Sequence, residues 1–195
     1  ALPISISFPG FTTAGNKAVL VAGNSEDVNL ASAAPITGVA YYSAILKVVN
    51  ADGLAANTDA IGNYFLMFAT TAGATGVTNF NGRIYIKAGA NPGTYTIGIL
   101  NGAGGTAAPS FTGTDYDANV SLFVVVKYDF ATNTASLFVN PGFGGAEGTP
   151  TATNATGTSA APTQIASIAI RQAGNATAGT GNIEIDEIRL NTNWA

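Results

Sequence analysis

The sequence contains no cysteine and no histidine among its 195 residues. Without cysteine, the chain can form no disulfide and offers no thiolate for a zinc site or for nucleophilic catalysis. Without histidine, it lacks the commonest general base and the commonest transition-metal ligand. These two absences exclude many enzyme mechanisms, and we predict that the protein is not an enzyme.

Charged residues are also scarce, since only 9% of the chain is Asp, Glu, Lys or Arg and the net charge is −4. A typical soluble domain is about a quarter charged, so this surface must consist largely of Thr, Asn, Ser, Ala and Gly. Low charge favours association between copies. The basic residues are scattered singly, which excludes nucleic acid as a partner. No apolar run approaches the length of a membrane span.

Short β-strand patterns recur along the chain, whereas helix patterns are nearly absent. The first candidate, residues 1–8, alternates between apolar and small polar side chains. The other ten candidates are residues 17–21, 27–30, 39–49, 63–70, 83–88, 95–100, 120–130, 135–140, 165–171 and 182–190. The run 120–130 is the most apolar and is expected to lie deepest, and residues 131–134 read as a hairpin turn. The pattern predicts one all-β domain over residues 1–195, a two-sheet antiparallel β-sandwich.

Several segments occur in an order that is similar to a module of secreted bacterial surface proteins. These segments are Val124-Val125-Val126-Lys127-Tyr128, Ser136-Leu137-Phe138-Val139-Asn140-Pro141, Ile168-Ala169-Ile170-Arg171-Gln172, Ile185-Asp186-Glu187-Ile188-Arg189 and Trp194. They resemble a module of Bacteroidota-type proteins associated with type IX secretion, which has the concanavalin A-like (laminin G-like) jelly roll. The resemblance implies a secreted protein at the extracellular cell surface and supplies no catalytic residue.

The run 184–187 resembles the Glu-x-Asp-x-Glu strand of some jelly-roll glycoside hydrolases, in which three carboxylates share one face. Here Glu184 and Asp186 share a face, but the third position of that face is Ile188. Glu187 points to the other side. The acid/base pair is therefore broken, and we expect these carboxylates to be solvated or paired with Arg171 or Arg189.

Asp115, Asp117 and Asn119 match the first, third and fifth positions of a calcium-binding loop. Valine occupies both the sixth and the twelfth positions, which excludes an EF-hand. A structural calcium held by separate loops stays open, beside the alternative that these side chains cap a turn. No other cofactor is predicted.

Aromatic side chains in or beside loops can stack on sugar rings, whose C–H faces pack well on apolar π surfaces. Five of them are therefore candidates for glycan binding: Tyr41, Tyr95, Phe111, Tyr116 and Phe143. Most Phe and Tyr residues of an all-β chain must lie in the core, so each candidate alone has a structural alternative.

The alternating segment 1–8 can pair within its own sheet or enter a groove of another copy, as in donor-strand assembly. Its apolar face consists of Leu2, Ile4, Ile6 and Phe8. Each of these side chains, when buried, would stabilise such a junction by roughly 1.5–3 kcal/mol before ordering costs. We therefore predict a structural or adhesive surface protein that self-assembles into filaments or contacts other cell-surface components. The alternative is a carbohydrate-binding module of a larger secreted protein.

Overall fold

The computed structural model describes residues 5–194. The regular secondary structure of these residues consists of β-strands. The strands are, in chain order, β1 (Ala18–Leu20), β2 (Val28–Ile36), β3 (Val39–Leu54), β4 (Asn63–Ala69), β5 (Phe80–Ala88), β6 (Thr94–Leu100), β7 (Ser110–Phe111), β8 (Tyr116–Asp117), β9 (Ser121–Asp129), β10 (Thr134–Val139), β11 (Ala152–Asn154), β12 (Ile165–Ile170) and β13 (Thr180–Asn191).

The strands form two antiparallel sheets. The first sheet has the order β1-β13-β3-β9-β10-β11, and the second has the order β2-β12-β4-β5-β6-β7, with β8 paired to β6. One apolar core joins the two sheets, because its buried side chains come from strands of both. The prediction of an all-β, two-sheet antiparallel sandwich is therefore confirmed. None of the residues from 5 to 194 belongs to a helix that is long and apolar enough to cross a membrane.

The side chains of β3 alternate between two apolar clusters, as the two-residue period of a strand requires. Tyr42, Ala44 and Leu46 lie in the core between the sheets. Tyr41 and Ile45 belong to a second cluster, whose strand residues all come from the first sheet. The first sheet is therefore apolar on both faces, and its outer face is covered by chain segments instead of a third sheet.

The N-terminal segment provides part of that cover. The described part of the predicted first strand, residues 5–8, is irregular, and Leu2 and Ile4 lie outside the described residues. Ile6 is buried, and its backbone N–H donates a 2.7 Å hydrogen bond to Oδ2 of Asp186 on β13. Phe8 packs beside it in the outer cluster. Ile6 and Phe8 therefore contact the body of their own chain.

The ten other predicted strands all occur, with shifted bounds. β2 and β3 run five or six residues further than predicted, because pairing with β12 and β13 extends them through small and polar residues. The predicted hairpin between β9 and β10 is confirmed, and Asn133 adopts a positive φ of 50° in its turn. The predictions missed β7, β8 and β11, which are too short to show a periodic pattern.

Candidate functional site

A cleft of about 450 Å³ lies on the outer face of the first sheet. Its floor is formed by β3, β9 and β13, and its walls come from the N-terminal segment, the loop after β10 and the residues after β13. Its lining includes the aromatic or charged side chains of Phe11, Tyr41, Phe123, Phe143, Arg189 and Trp194.

Aromatic rings border the cleft in two groups. In the first group, the ring centroid of Phe11 lies 4.9 Å from that of Phe123 and 5.0 Å from that of Phe143. In the second group, Trp194 packs edge-on against Tyr41, at 6.1 Å between centroids. Phe143 is 50% exposed although it is a large apolar residue. An exposed ring beside a cleft offers a surface on which a ligand can stack.

Polar groups lie between and beside these rings. Arg189 is the only charged residue that the described part of the chain contributes to the lining, and the polar groups of the lining include the amides of Asn191 and Asn193 and the hydroxyls of Thr12 and Ser43. No carboxylate from residues 5–194 lines the cleft. The site therefore combines apolar rings with hydrogen-bonding groups and one cation, a composition typical of ligand pockets.

The indole of Trp194 contributes a buried donor. Its Nε1 is buried and has no hydrogen-bond acceptor within residues 5–194. Buried donors in native proteins are almost always paired, with protein groups or with water. An acceptor from a ligand or a water molecule would therefore satisfy this group.

A small polar network holds the loop that carries Phe143. Glu147 of this loop accepts hydrogen bonds from the hydroxyl of Tyr41, at 2.7 Å, and from Nζ of Lys127, at 2.8 and 3.1 Å. Partial burial and the hydrogen bond to Glu147 raise the pKa of Tyr41. The same carboxylate raises the pKa of Lys127 through their hydrogen bond.

The carboxylates of the run 184–187 all have partners. Glu184 forms an ion pair with Lys17. Glu187 pairs with Arg189, whose Nη2 lies 2.8 Å from its Oε2, which confirms one of the two predicted arginine partners. Asp186 is only 5% exposed and accepts the backbone N–H of Glu187 at 2.8 Å.

The backbone of this run is irregular. Glu187 has a positive φ of 50°, and the register with β3 shifts between Asp186 and Arg189. The backbone N–H of Ala14 donates to Oε1 of Glu187, and this bond, together with Arg189, lowers the pKa of Glu187. The carboxylates therefore fix the N-terminal segment and the end of β13 in place.

The structure separates the five aromatic candidates. Tyr41 and Phe143 line the cleft. Tyr95 does not fit the prediction of a ligand-binding ring, since it is 1% exposed and lies in the core between the sheets. Tyr116 packs against Tyr95 at 5.9 Å, and Phe111 lies under Nζ of Lys87 at 4.6 Å.

Sequence reasoning missed other residues of the cleft, which are Phe11, Phe123, Arg189 and Trp194. One signal for Phe123 was present. The run 120–130 is apolar at consecutive positions, which indicates a strand that is buried on both faces. Phe123 is 7% exposed on the outer face, as that pattern implies.

Of the three predicted calcium ligands, Asp115 has structural hydrogen-bond partners. Oδ2 of Asp115 accepts hydrogen bonds from the N–H of Ala90, at 2.7 Å, and from the hydroxyl of Thr94, at 3.4 Å. Asn119 adopts a positive φ of 64°, as turn asparagines often do. Within residues 5–194, no three acidic side chains come close enough together to hold a metal ion.

No protein-family model matches the sequence, and no curated protein matches it significantly. Solved structures do resemble it in shape. The carbohydrate recognition domain of Emp47p is 10% identical and has a TM-score of 0.51, with 94% of this chain and 86% of that chain covered. The Ca²⁺/Man3GlcNAc-bound exoplasmic/lumenal domain of VIP36 is 14% identical and has a TM-score of 0.50, with 94% and 83% covered.

An enzyme shares the same shape. An endo-β-1,4-glucuronan lyase from the fungus Trichoderma reesei is 12% identical and has a TM-score of 0.51, with 92% of this chain and 81% of that chain covered. At these identities the likeness concerns the fold, because one fold hosts both binding and catalysis. The chain therefore has the concanavalin A-like jelly-roll fold, as its sequence resemblance implies.

Proposed function

We propose that the protein is a non-catalytic module that binds a saccharide in the cleft on the outer face of its first sheet. The observation that carries this proposal is that several aromatic side chains line one cleft. They include the exposed Phe143 together with Phe11, Tyr41 and Trp194. Sugar C–H faces pack on such rings, and sugar hydroxyls pair with amides and hydroxyls. Two jelly rolls support it by analogy: the carbohydrate recognition domain of Emp47p and the Man3GlcNAc-bound domain of VIP36.

The chemistry of the cleft favours binding over turnover. The described residues give its lining no carboxylate, and the chain has no histidine, so the usual groups for proton transfer are missing from the described lining. Glu184 and Glu187 form ion pairs with Lys17 and Arg189, instead of acting in proton transfer. A glycosidase needs two carboxyl groups that flank the scissile bond.

The setting we propose is extracellular. The resemblance to secreted bacterial surface modules supports this assignment. The exoplasmic/lumenal origin named for the VIP36 domain is in keeping with it. The link to Bacteroidota-type, type IX secretion stays a prediction from the sequence.

A glycan array followed by isothermal titration calorimetry tests the binding proposal. We expect binding of at least one oligosaccharide, and we expect Phe143→Ala to weaken it by up to roughly tenfold, since a stacked aromatic ring contributes about 0.5–1.5 kcal/mol and about 1.4 kcal/mol corresponds to a factor of ten. Phe111→Ala is the matched control, because that ring lies on the second sheet. An array without binding, or equal losses in the two variants, would contradict the proposal.

We propose self-association as a second function, on a different part of the surface. The supporting observation is β2, an edge strand with Val28 at 58% and Leu30 at 72% exposure. Exposed apolar edge strands pair readily with other chains. Sedimentation velocity over a wide concentration range tests this function, and a protein that stays monomeric throughout would contradict it.

A further inference from the structure

A second groove, of about 350 Å³, lies where β2 of the second sheet faces the last residues of β13 of the first sheet. The described residues that line it include no charged side chain. The large apolar side chains in it come from both sheets and are Leu30, Ile36, Ile168, Ile188 and Leu190. The groove is therefore an opening into the apolar layer between the sheets.

Among residues 5–194, both strands that border the groove have a backbone edge that lacks a strand partner over part of its length. β2 pairs only with β12, so its other edge has no strand partner among the described residues. β1 covers β13 only at Ile183–Ile185, and residues 186–191 extend beyond it. No lysine or other charged residue lies within β2 to discourage pairing, and its one proline, Pro35, comes only at the second-last position of the strand. Such an edge beside an apolar groove is suited to an added strand, with alternate side chains in the groove.

The sequence offers a segment of matching pattern. Leu2 and Ile4 alternate with Pro3 and Ser5, so in an extended segment both point to one side. Ser5 is the first described residue. Ile6, which follows it, is fixed to Asp186 on the outer face of the first sheet.

We propose that the groove between β2 and β13 receives Leu2 and Ile4 of a second copy, so that copies join head to tail. This inference rests on the proposed self-association. Within one chain, Ile4 precedes Ile6 by two residues, which span at most about 7 Å, so the segment would have to turn around the edge of β13 within that length. A second copy can present the segment extended. The low net charge limits repulsion between copies, and a head-to-tail contact that does not close produces a filament.

The test uses two variants that each lack one half of the junction. The donor variant carries Leu2→Asp and Ile4→Asp, and the acceptor variant carries Leu30→Lys at a site that is 72% exposed. We expect the full chain to form oligomers in sedimentation velocity and filaments in negative-stain micrographs. Each variant alone is expected to be monomeric, and an equimolar mixture is expected to form a 1:1 dimer. Val120→Lys is the control and should assemble like the full chain. Val120 is 52% exposed and directly precedes β9.

The outcomes separate the two proposals. If the full chain stays monomeric, the proposed self-association fails, and the groove inference fails with it. If both variants still assemble like the full chain, self-association stands and the groove inference is overturned. If the mixture stays monomeric although each variant shows the far-ultraviolet spectrum of the full chain, the pairing of segment and groove is overturned as well.

Discussion

The hydroxyl of Tyr41 and the carboxylate of Glu147 lie 2.7 Å apart and join the floor of the cleft to the loop that carries its most exposed ring. Tyr41 belongs to β3, whereas Glu147 and Phe143 belong to the loop after β10. Because Lys127 of β9 binds the same carboxylate, two strands of the first sheet hold the loop. This arrangement holds the loop, and with it Phe143, in position beside the cleft.

Glu147→Gln is therefore expected to lower the pKa of Tyr41. The substitution removes the negative charge that raises it and leaves the nearby Lys127, which lowers it. The chemical shift of the Tyr41 ring carbon, followed by nuclear magnetic resonance against pH, measures the change. Glu26→Gln is the control, because Glu26 lies far along the chain and bonds with Gln172 instead. An unchanged Tyr41 titration would show that the hydrogen bond does not persist in solution.

Asp186→Ala is expected to reduce the free energy of unfolding by about 1–3 kcal/mol, the usual cost of leaving a buried donor without its acceptor. The two oxygens of Asp186 accept the backbone N–H groups of Ile6 and Glu187. Urea unfolding measures the loss. Asp52→Ala, at an exposed carboxylate, should change stability by less than about 0.5 kcal/mol. Equal effects of the two substitutions would contradict this role of Asp186.

Most of the fold could be predicted because alternation and turn residues act locally. Tyr95, Ile97 and Ile99 share one face of β6 and all lie in the core. The same alternation places Tyr95 on the core face of β6 and argues against it as a ligand-binding ring. The sequence pattern therefore already indicates that Tyr95 is a core residue. The short strands β7 and β11 could not be predicted, since pairing with β6 and β10 creates them.

The cleft could not be predicted, because its residues are distant in sequence. Phe11 and Phe143 are separated by more than a hundred residues and meet only when the N-terminal segment crosses the outer face of the first sheet. Nothing in the local sequence distinguishes these rings from Phe65 or Phe68, which are fully buried. Only the number of apolar positions on β9 indicates that the sheet needs a cover on both faces.

Acid is expected to weaken the hold on the N-terminal segment through Glu187. Its pKa is lowered in the folded state by the N–H of Ala14 and by Arg189. A carboxyl group with a lowered folded pKa stabilises the fold above its unfolded pKa, and this contribution is lost as the pH falls through the folded value. The urea midpoint of Glu187→Gln should therefore lie below that of the wild type at neutral pH and converge with it in acid.

The control for this pH dependence is Asp52→Asn, since no side-chain hydrogen bond of Asp52 occurs among the described residues. Its midpoint is expected to follow that of the wild type across the same pH range. A difference for Glu187→Gln that stays constant down to strong acid would contradict the assignment.

Gly62→Ala is expected to destabilise the fold more than Gly15→Ala, by about 1 kcal/mol or more. Both glycines have a positive φ, of 70° and 89°, so both substitutions introduce similar backbone strain. The two sites differ in the space that is available for a Cβ atom. A Cβ on Gly62 would collide with the carbonyl of Ile86 and approach the Cβ of Lys87 to 3.2 Å, whereas a Cβ on Gly15 would meet nothing within 4 Å. The difference in urea unfolding free energy therefore isolates the collision, and equal losses would show that β5 shifts to relieve it.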